Sequence, residues 1–180
     1  VMTSNGAQTG TDRLAEAAKT INADIYINVQ GDEPLVDPAD ILKVRDFKVS
    51  NMDSVVNGFC WLSDEELPEN INIPKVITTE DNSLVYMSRN ALPGFKDIVN
   101  APVNYKKQVC IYAFTALELE SFASFGRKSE LESSEDIEIL RFLELNKKIL
   151  MVETKPGSYA VDTPGDVLVA ESALRDTHNL

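Results

Sequence analysis

Ile25-Tyr26-Ile27-Asn28-Val29-Gln30 runs directly into Gly31-Asp32-Glu33-Pro34. Apolar and polar residues alternate along the first six, the signature of a strand. Gly31 lets the chain turn sharply as the strand ends. Pro34 fixes the exit and biases Glu33 toward an extended backbone. Asp32 is thereby presented at the strand's carboxyl end. The pattern returns late in the chain, where Ser158-Tyr159-Ala160-Val161 leads into Asp162-Thr163-Pro164. In α/β folds this edge of the sheet is where ligands bind. Two acids distant in sequence can meet there and hold a hard cation against phosphates. Taken singly, each turn reads better as a capped turn with a solvated acid, and only together do the two aspartates favour a metal site. Thr163 and Pro164 account for a helix start without Asp162, which leaves that aspartate for another role.

Working outward, strands and helices alternate. Thr11 to Leu14 opens a helix, with Leu14, Ala18 and Ile21 on one apolar stripe. Asp37-Pro38 is a cap followed by proline at the first helical position, opening a helix to about Phe47. Val55–Leu62 is a strand rich in β-branched and aromatic residues. An acidic stretch with Pro68 and Pro74 follows as a loop or short helix. Lys75–Thr78 and Leu84–Met87 form a hairpin about the polar turn 80–83. A loop from Pro93 to Asn104 precedes a strand over Gln108–Phe114. Ser/Thr-x-x-acid capping patterns place helices at Thr115 with Glu118, Ser133 with Asp136, and Thr163 with Asp166. Lys148–Glu153 is a strand. The alternation gives an α/β class with a mostly parallel sheet, expected as one domain over residues 1–180.

Asp and Glu outnumber Lys and Arg by 29 to 17, for a net charge of −12. That opposes a nucleic-acid partner, which needs a basic face, but admits a small phosphorylated ligand screened by a metal. No apolar run approaches the roughly 20 residues of a membrane span, and no signal-like segment opens the chain. The expectation is a cytoplasmic protein without membrane insertion. Cys60 and Cys110 lack metal-ligand spacing and read as buried reduced thiols. The one histidine, His178, reads as a solvated tail residue. Histidine-based catalysis in the body of the fold is thereby excluded. Carboxylates, a metal, Arg/Lys and backbone amides remain.

Gln8-Thr9-Gly10-Thr11-Asp12-Arg13 is a polar loop feeding a helix N-terminus, whose unpaired N–H groups favour phosphate. Arg13 in that first turn opposes the macrodipole. A ligand-facing role and a surface pair with Asp12 or Glu16 explain it equally. Gln30 can read a ligand amide or base edge. Among the basic groups, Arg89 is the anion-binding candidate, whereas Lys106 and Lys107 read as solvated.

In this order the pieces resemble the CMP-Kdo synthetases, the 3-deoxy-manno-octulosonate cytidylyltransferases. The matching stretches are Gln8–Glu16, Asn28–Pro34, Lys75-Val76, Tyr86–Arg89, Ile111-Tyr112, Glu138 with Leu140-Arg141, and Val161–Pro164. The resemblance implies a nucleotide-diphospho-sugar-transferase-like, Rossmann-like fold with an inserted hairpin or dimerisation region, and a homodimer. It implies that the anomeric hydroxyl of an acidic keto-sugar attacks the α-phosphate of CTP and pyrophosphate leaves, a step in surface polysaccharide (lipopolysaccharide) synthesis. By resemblance, Asp32 and Asp162 are catalytic and hold Mg²⁺. Gln8, Arg13 and Gln30 line the nucleotide side. Arg89, Gln108, Tyr112, Glu138 and Ile139 line the sugar side. In-line phosphoryl transfer needs positioning and charge neutralisation more than a covalent nucleophile, and Mg²⁺ takes only one or two protein carboxylates. The family begins with a strand and triphosphate-gripping loop, which this chain is expected to lack. Gln108 stands near a family histidine, and Ile139 replaces a family glutamine. Those departures leave a modified sugar acid, such as an amino-substituted Kdo, as an alternative. A non-catalytic nucleotide-sugar binding module is the alternative from another class.

Overall fold

A computed structural model describes residues 1–156, 161 and 164–178, the side chains of 169 and 176–178 excepted. Residues 158–160 of the late strand, Asp162 and the Thr163 cap therefore lie outside the described residues, as does the His178 side chain.

The fold is organised round one long strand, β5 (Lys106–Phe114). One edge of β5 pairs along its length with β2 (Val55–Trp61). Two short strands share the other edge. β1 (Tyr26–Val29) pairs with residues 111–114, and β3 (Lys75–Thr78) meets β5 at Lys107. β6 (Ile149–Glu153) lies outside β2, and β4 (Leu84–Ser88) lies outside β3, completing a six-stranded mixed sheet. β1, β2, β3 and β6 point one way, while β4 and β5 run against them. Among the described strands β2–β6 is thus the only parallel pairing. The expected parallel predominance survives in strand direction but not in pairing, because β5 returns through the middle. Strand–helix alternation cannot reveal which neighbours a returning strand separates. The β3–β4 hairpin forms as read and is an edge of this same sheet.

Period-two alternation buries both faces. On β5, Tyr112 and Phe114 face one core with Phe59, Met151, Phe122 and Phe142. Val109, Ile111 and Ala113 face the other with Val56, Cys60 and Val44. The first core is covered by α1 (Gly10–Ala18), α3 (Ala116–Ser124), α4 (Glu130–Glu135) and α5 (Leu140–Glu144). The second is covered by α2 (Pro38–Val49), whose cap Asp37 accepts from Ala39 N at 2.8 Å. α6 spans Pro164–His178. Among the described residues, no helix is long and apolar enough to cross a membrane.

Two readings of helix ends are corrected. Ile21 lies past the end of α1 and is half exposed, so the stripe closes on Leu14, Ala15 and Ala18. The single helix expected from Ser133, with Ile137, Leu140, Phe142 and Leu143 on its apolar face, is two short ones: Leu140, Phe142 and Leu143 lie in α5, and Ser133 lies inside α4, which starts four residues earlier. Ser129 is its cap, in a reciprocal box with Glu132, and the helix stops at Asp136 in the left-handed region (φ 52°). The same Ser-x-x-acid spacing occurs at both places. Glu132 satisfies it while also meeting Arg141, a partner that exists only after folding.

Candidate active site

β1 and β3 share one edge of β5 without meeting, and the gap exposes the backbone of residues 108–110. Its polar groups are satisfied from three directions. Pro74 O accepts from Gln108 N at 3.0 Å, and Gln30 N donates to Cys110 O at 3.2 Å. Cys110 N donates to the buried Glu33 carboxylate at 2.6 Å. The acid of the Gly31–Pro34 turn that does this work is Glu33, which leaves Asp32 free of the task. Over the gap lies a cavity of about 610 Å³ lined by Gln8, Gln30, Asp32, Arg89, Gln108, Tyr112 and Glu138, among others. Seven of the ten residues singled out in the sequence are thus brought to one place.

Arg13 is not in that cavity. It lines a second one of about 600 Å³ with Asn28, Gly31 and the first residues of the chain, and its guanidinium donates to Thr3 Oγ1 at 3.0 Å and Ser4 O at 3.3 Å. Gln30 and Asp32 line both cavities. The carboxylate at the tip of β1 therefore stands on the border between two chambers. Its Oδ1 is buried with no hydrogen-bond partner among the described residues. A buried carboxylate oxygen left unpaired costs free energy, and a hard cation is the partner that such an oxygen suits. Among the described residues no group of three or more acids, histidines or cysteines could hold a metal. The second aspartate of the sequence reading, Asp162, is outside them. Its neighbour Val161 donates its N–H to Asp32 O at 2.8 Å, so the residue just before the late turn meets the early one.

The helix N-terminus read as a phosphate cradle is already filled. Thr11 N donates to Glu138 Oε2 at 3.0 Å, Asp12 N to Thr9 Oγ1 at 3.1 Å, and Arg13 N to Thr9 O at 3.3 Å. Thr9 and Asp12 form a capping box. Gly10 permits the close approach, since a Cβ there would lie 3.3 Å from Asn28 Nδ2 and 3.4 Å from Gln30 Nε2. Glu138 also accepts from Gln30 Nε2 at 2.7 Å, tying the two sides of the site together.

Burial raises the Glu138 pKa above its ordinary 4.5, against the lowering pull of the Thr11 and Thr9 hydrogen bonds. A carboxyl raised on folding stabilises most when protonated. Its contribution is whole below the unfolded value and is lost as pH rises through the folded one. Relative to the unaltered chain, Glu138→Gln is therefore expected to gain stability as pH climbs from about 4.5 through the folded value, and to hold that gain above it. Urea unfolding of both proteins across that range reads the difference, and a pH-independent difference refutes it.

Arg89 reaches the cavity wall, but its guanidinium is committed. Nε donates to Glu135 O at 2.5 Å, Nη1 to Ile71 O at 2.9 Å and Nη2 to Asp136 O at 3.1 Å. It satisfies carbonyls at the end of α4 and ties that helix to the loop before β3. An anion would have to share it. Lys107, read as solvated, is buried in an ion pair with Glu66 on the same wall. Ile139 is corrected outright. At 1% exposure it packs in the core with Phe142 and Leu140 and does not line the cavity. Its neighbour Glu138 faces the site instead.

Sequence reasoning missed Glu33 and two asparagines. Asn28 Nδ2 is buried without a partner among the described residues and faces the second cavity. Asn57, fully buried in β2, bonds Gln108. The signal for Asn57 was an Asn-Gly pair inside an apolar strand, which marks a bulge.

The family model of the cytidylyltransferases matches residues 1–149. The chain is 39% identical over 168 residues to the 3-deoxy-manno-octulosonate cytidylyltransferase of Christiangramia forsetii, covering 92% of this chain and 67% of that protein. It is 37% identical over 187 residues to the enzyme of the same description from Pelobacter propionicus, covering 97% and 72%. The solved structure of CMP:2-keto-3-deoxy-manno-octonic acid synthetase complexed with CTP aligns at a TM-score of 0.86 and 29% identity, over 100% of this chain and 73% of that one. The inositol-1-phosphate CTP transferase from T. maritima, at a TM-score of 0.63 and 14% identity over 100% of this chain and 67% of that one, shares the fold.

Proposed function

We propose, for a chain that belongs to the 3-deoxy-manno-octulosonate cytidylyltransferase family, that it transfers CMP from CTP to the anomeric hydroxyl of Kdo or a closely similar sugar acid. It is a nucleotidyltransferase of the cytidylyl class. In the reaction an O–P bond forms between the sugar oxygen and the α-phosphorus. The bridging α–β bond breaks, pyrophosphate carries away the electron pair, and the hydroxyl proton is released.

The observation that carries this reading is Asp32 on the border of two cavities with an unpartnered buried oxygen. Arg13, Gln30 and Asn28 suit the nucleotide on one side. Gln108, Tyr112 and Glu138 suit the sugar acid on the other. In-line transfer needs the two substrates to meet at one point with their charge neutralised. Asp32 and Asp162 would hold Mg²⁺ there, and the Val161–Asp32 hydrogen bond supports that pairing. When bound, the ion supplies charge neutralisation at the phosphates and a lowered pKa for a ligated hydroxyl. The protein's own groups orient the substrates: Gln30 and Glu138 cross-brace the two sides, and Tyr112 closes the floor. Burial raises the Tyr112 phenol well above its ordinary range, so it acts as a neutral hydrogen-bonding group. The reading includes a cytoplasmic homodimer serving surface polysaccharide synthesis. The exposed Ile98, Val99 and Val103 offer an apolar surface for the dimer.

The test is pyrophosphate release. The protein with CTP, Kdo and Mg²⁺ is expected to release pyrophosphate and form CMP-Kdo, and UTP is expected to serve poorly. Equal rates with both nucleotides reject the cytidylyl assignment. CTP binding without any turnover rejects the enzyme.

A further inference from the structure

Asn57 is fully buried at a slip in the β2–β5 register. Asn57 stands opposite Tyr112, but the next residue, Gly58, stands opposite Val109. Cys110 and Ile111 are therefore extra residues on β5, and the bulge takes nearby carbonyls off the ladder to β2. Asn57 Nδ2 donates to Val109 O and to Ile111 O, each at 2.9 Å. Carbonyls can only accept, so both bonds fix which end of the Asn57 amide is nitrogen. Its Oδ1 must then face away from them, and there it accepts from Gln108 Nε2 at 3.0 Å. The same nitrogen donates to the Tyr112 hydroxyl oxygen at 3.3 Å. Both Gln108 donors are spent, and no hydrogen bond reaches its amide oxygen among the described residues. Gln108 lines the same cavity as Tyr112 and Glu138.

We infer that Asn57 is a positioning residue: it fixes the Gln108 amide so that the cavity presents an acceptor, the Gln108 oxygen, to a hydroxyl or other donor on the sugar acid. This rests on the functional reading above. Left alone, a glutamine amide can turn over and offer either end to a ligand. The buried asparagine removes that choice, through the bulge it also satisfies. Nearby on the wall the Glu33 and Glu138 carboxylates also accept, while the cations there are engaged, Lys107 with Glu66 and Arg89 with backbone carbonyls. The cavity selects a ligand rich in hydrogen-bond donors at this end, and an analogue that can only accept at that position is discriminated against.

The experiment uses pyrophosphate-release kinetics with CTP and Kdo. It includes a set of Kdo analogues in which one hydroxyl at a time is fluorine, which keeps the size and removes the donated proton. The unaltered protein is expected to lose about tenfold in kcat/KM on one analogue, the worth of one hydrogen bond. Gln108→Met and Asn57→Ala are each expected to abolish that discrimination. Both should raise the KM for Kdo while holding the KM for CTP within about twofold, and the double variant should match Gln108→Met alone. Asn57→Ala raising both KM values alike, or adding to Gln108→Met in the double variant, overturns the inference while the functional reading stands. Should Asn57→Ala fail to fold, Gln108→Met decides: retention of the analogue discrimination overturns the inference. Absence of turnover by the unaltered protein overturns the functional reading and this inference with it.

Discussion

Replacing Asp32 by Asn is expected to lower turnover about 100- to 1,000-fold, the scale seen when a group that stabilises developing charge is removed. The fold should not suffer. Asp32 makes its structural bond through the backbone, accepting at its carbonyl from Val161 N at 2.8 Å. Its side-chain Oδ1 is buried and makes no hydrogen bond among the described residues. Replacing a half-buried carboxylate whose Oδ1 has no hydrogen-bond partner among the described residues is expected to leave the melting temperature unchanged or slightly higher, the usual relation between an active-site group and stability. Calorimetric titration of Mg²⁺ in the presence of CTP supplies the second reading, since Asp32→Asn should lose binding that the unaltered protein has. The Asp162→Asn variant is expected to behave alike in both assays. Near-normal kinetics in either variant refutes the metal assignment. A collapsed melting transition in Asp32→Asn instead makes the carboxylate a structural group.

The largest loss of stability is expected at Arg141. The side chain is 1% exposed, as is that of Glu132, and the two form a two-pronged pair, Nε to Oε2 and Nη2 to Oε1, each at 2.6 Å. Nη1 reaches Asp12 Oδ1 at 3.1 Å and Phe122 O at 3.3 Å, and the guanidinium lies 3.6 Å over the Phe122 ring. One cation thus joins α1, α3, α4 and α5. Arg141→Met fills similar space but strands the Glu132 carboxylate in the core. Breaking a buried pair from one side costs about 3–5 kcal/mol. Urea unfolding measures it, and a companion Arg141→Met/Glu132→Gln variant should recover much of the loss because no charge is left uncompensated. A loss below about 1 kcal/mol, the range of an exposed ion pair, shows that the network is solvated. The same logic makes Lys48, fully buried with Glu118 between α2 and α3, a second such tie.

Local signals located most elements. The Asp37 cap, the Thr115–Glu118 box and the β3–β4 turn are decided by residues within a few positions of one another, and all three formed where the sequence placed them. The start of α4 failed for an instructive reason. Two serines four residues apart carry the same capping spacing, and the choice between them is made by Arg141, which meets Glu132 across the fold. The site divides in the same way. Gln30, Asp32, Gln108, Tyr112 and Glu138 could be named from motifs and do converge. The commitment of Arg89 to carbonyls of Glu135, Ile71 and Asp136, the pairing of Lys107 with Glu66, and the burial of Ile139 could not.

The α/β class, the acid at the tip of β1 and the chemistry open to a chain with no histidine in its body could all be read from residue order. Those follow from side-chain periodicity, turn stereochemistry and the identity of functional groups, which are properties of short stretches. That β5 returns through the sheet centre, opens a gap between β1 and β3, and bulges where Asn57 and Glu33 satisfy its backbone emerges only in the assembled fold. Strand order and the partners of buried polar groups depend on residues dozens of positions apart. No local pattern records them, because the free energy that selects them arises only when the distant groups leave water together.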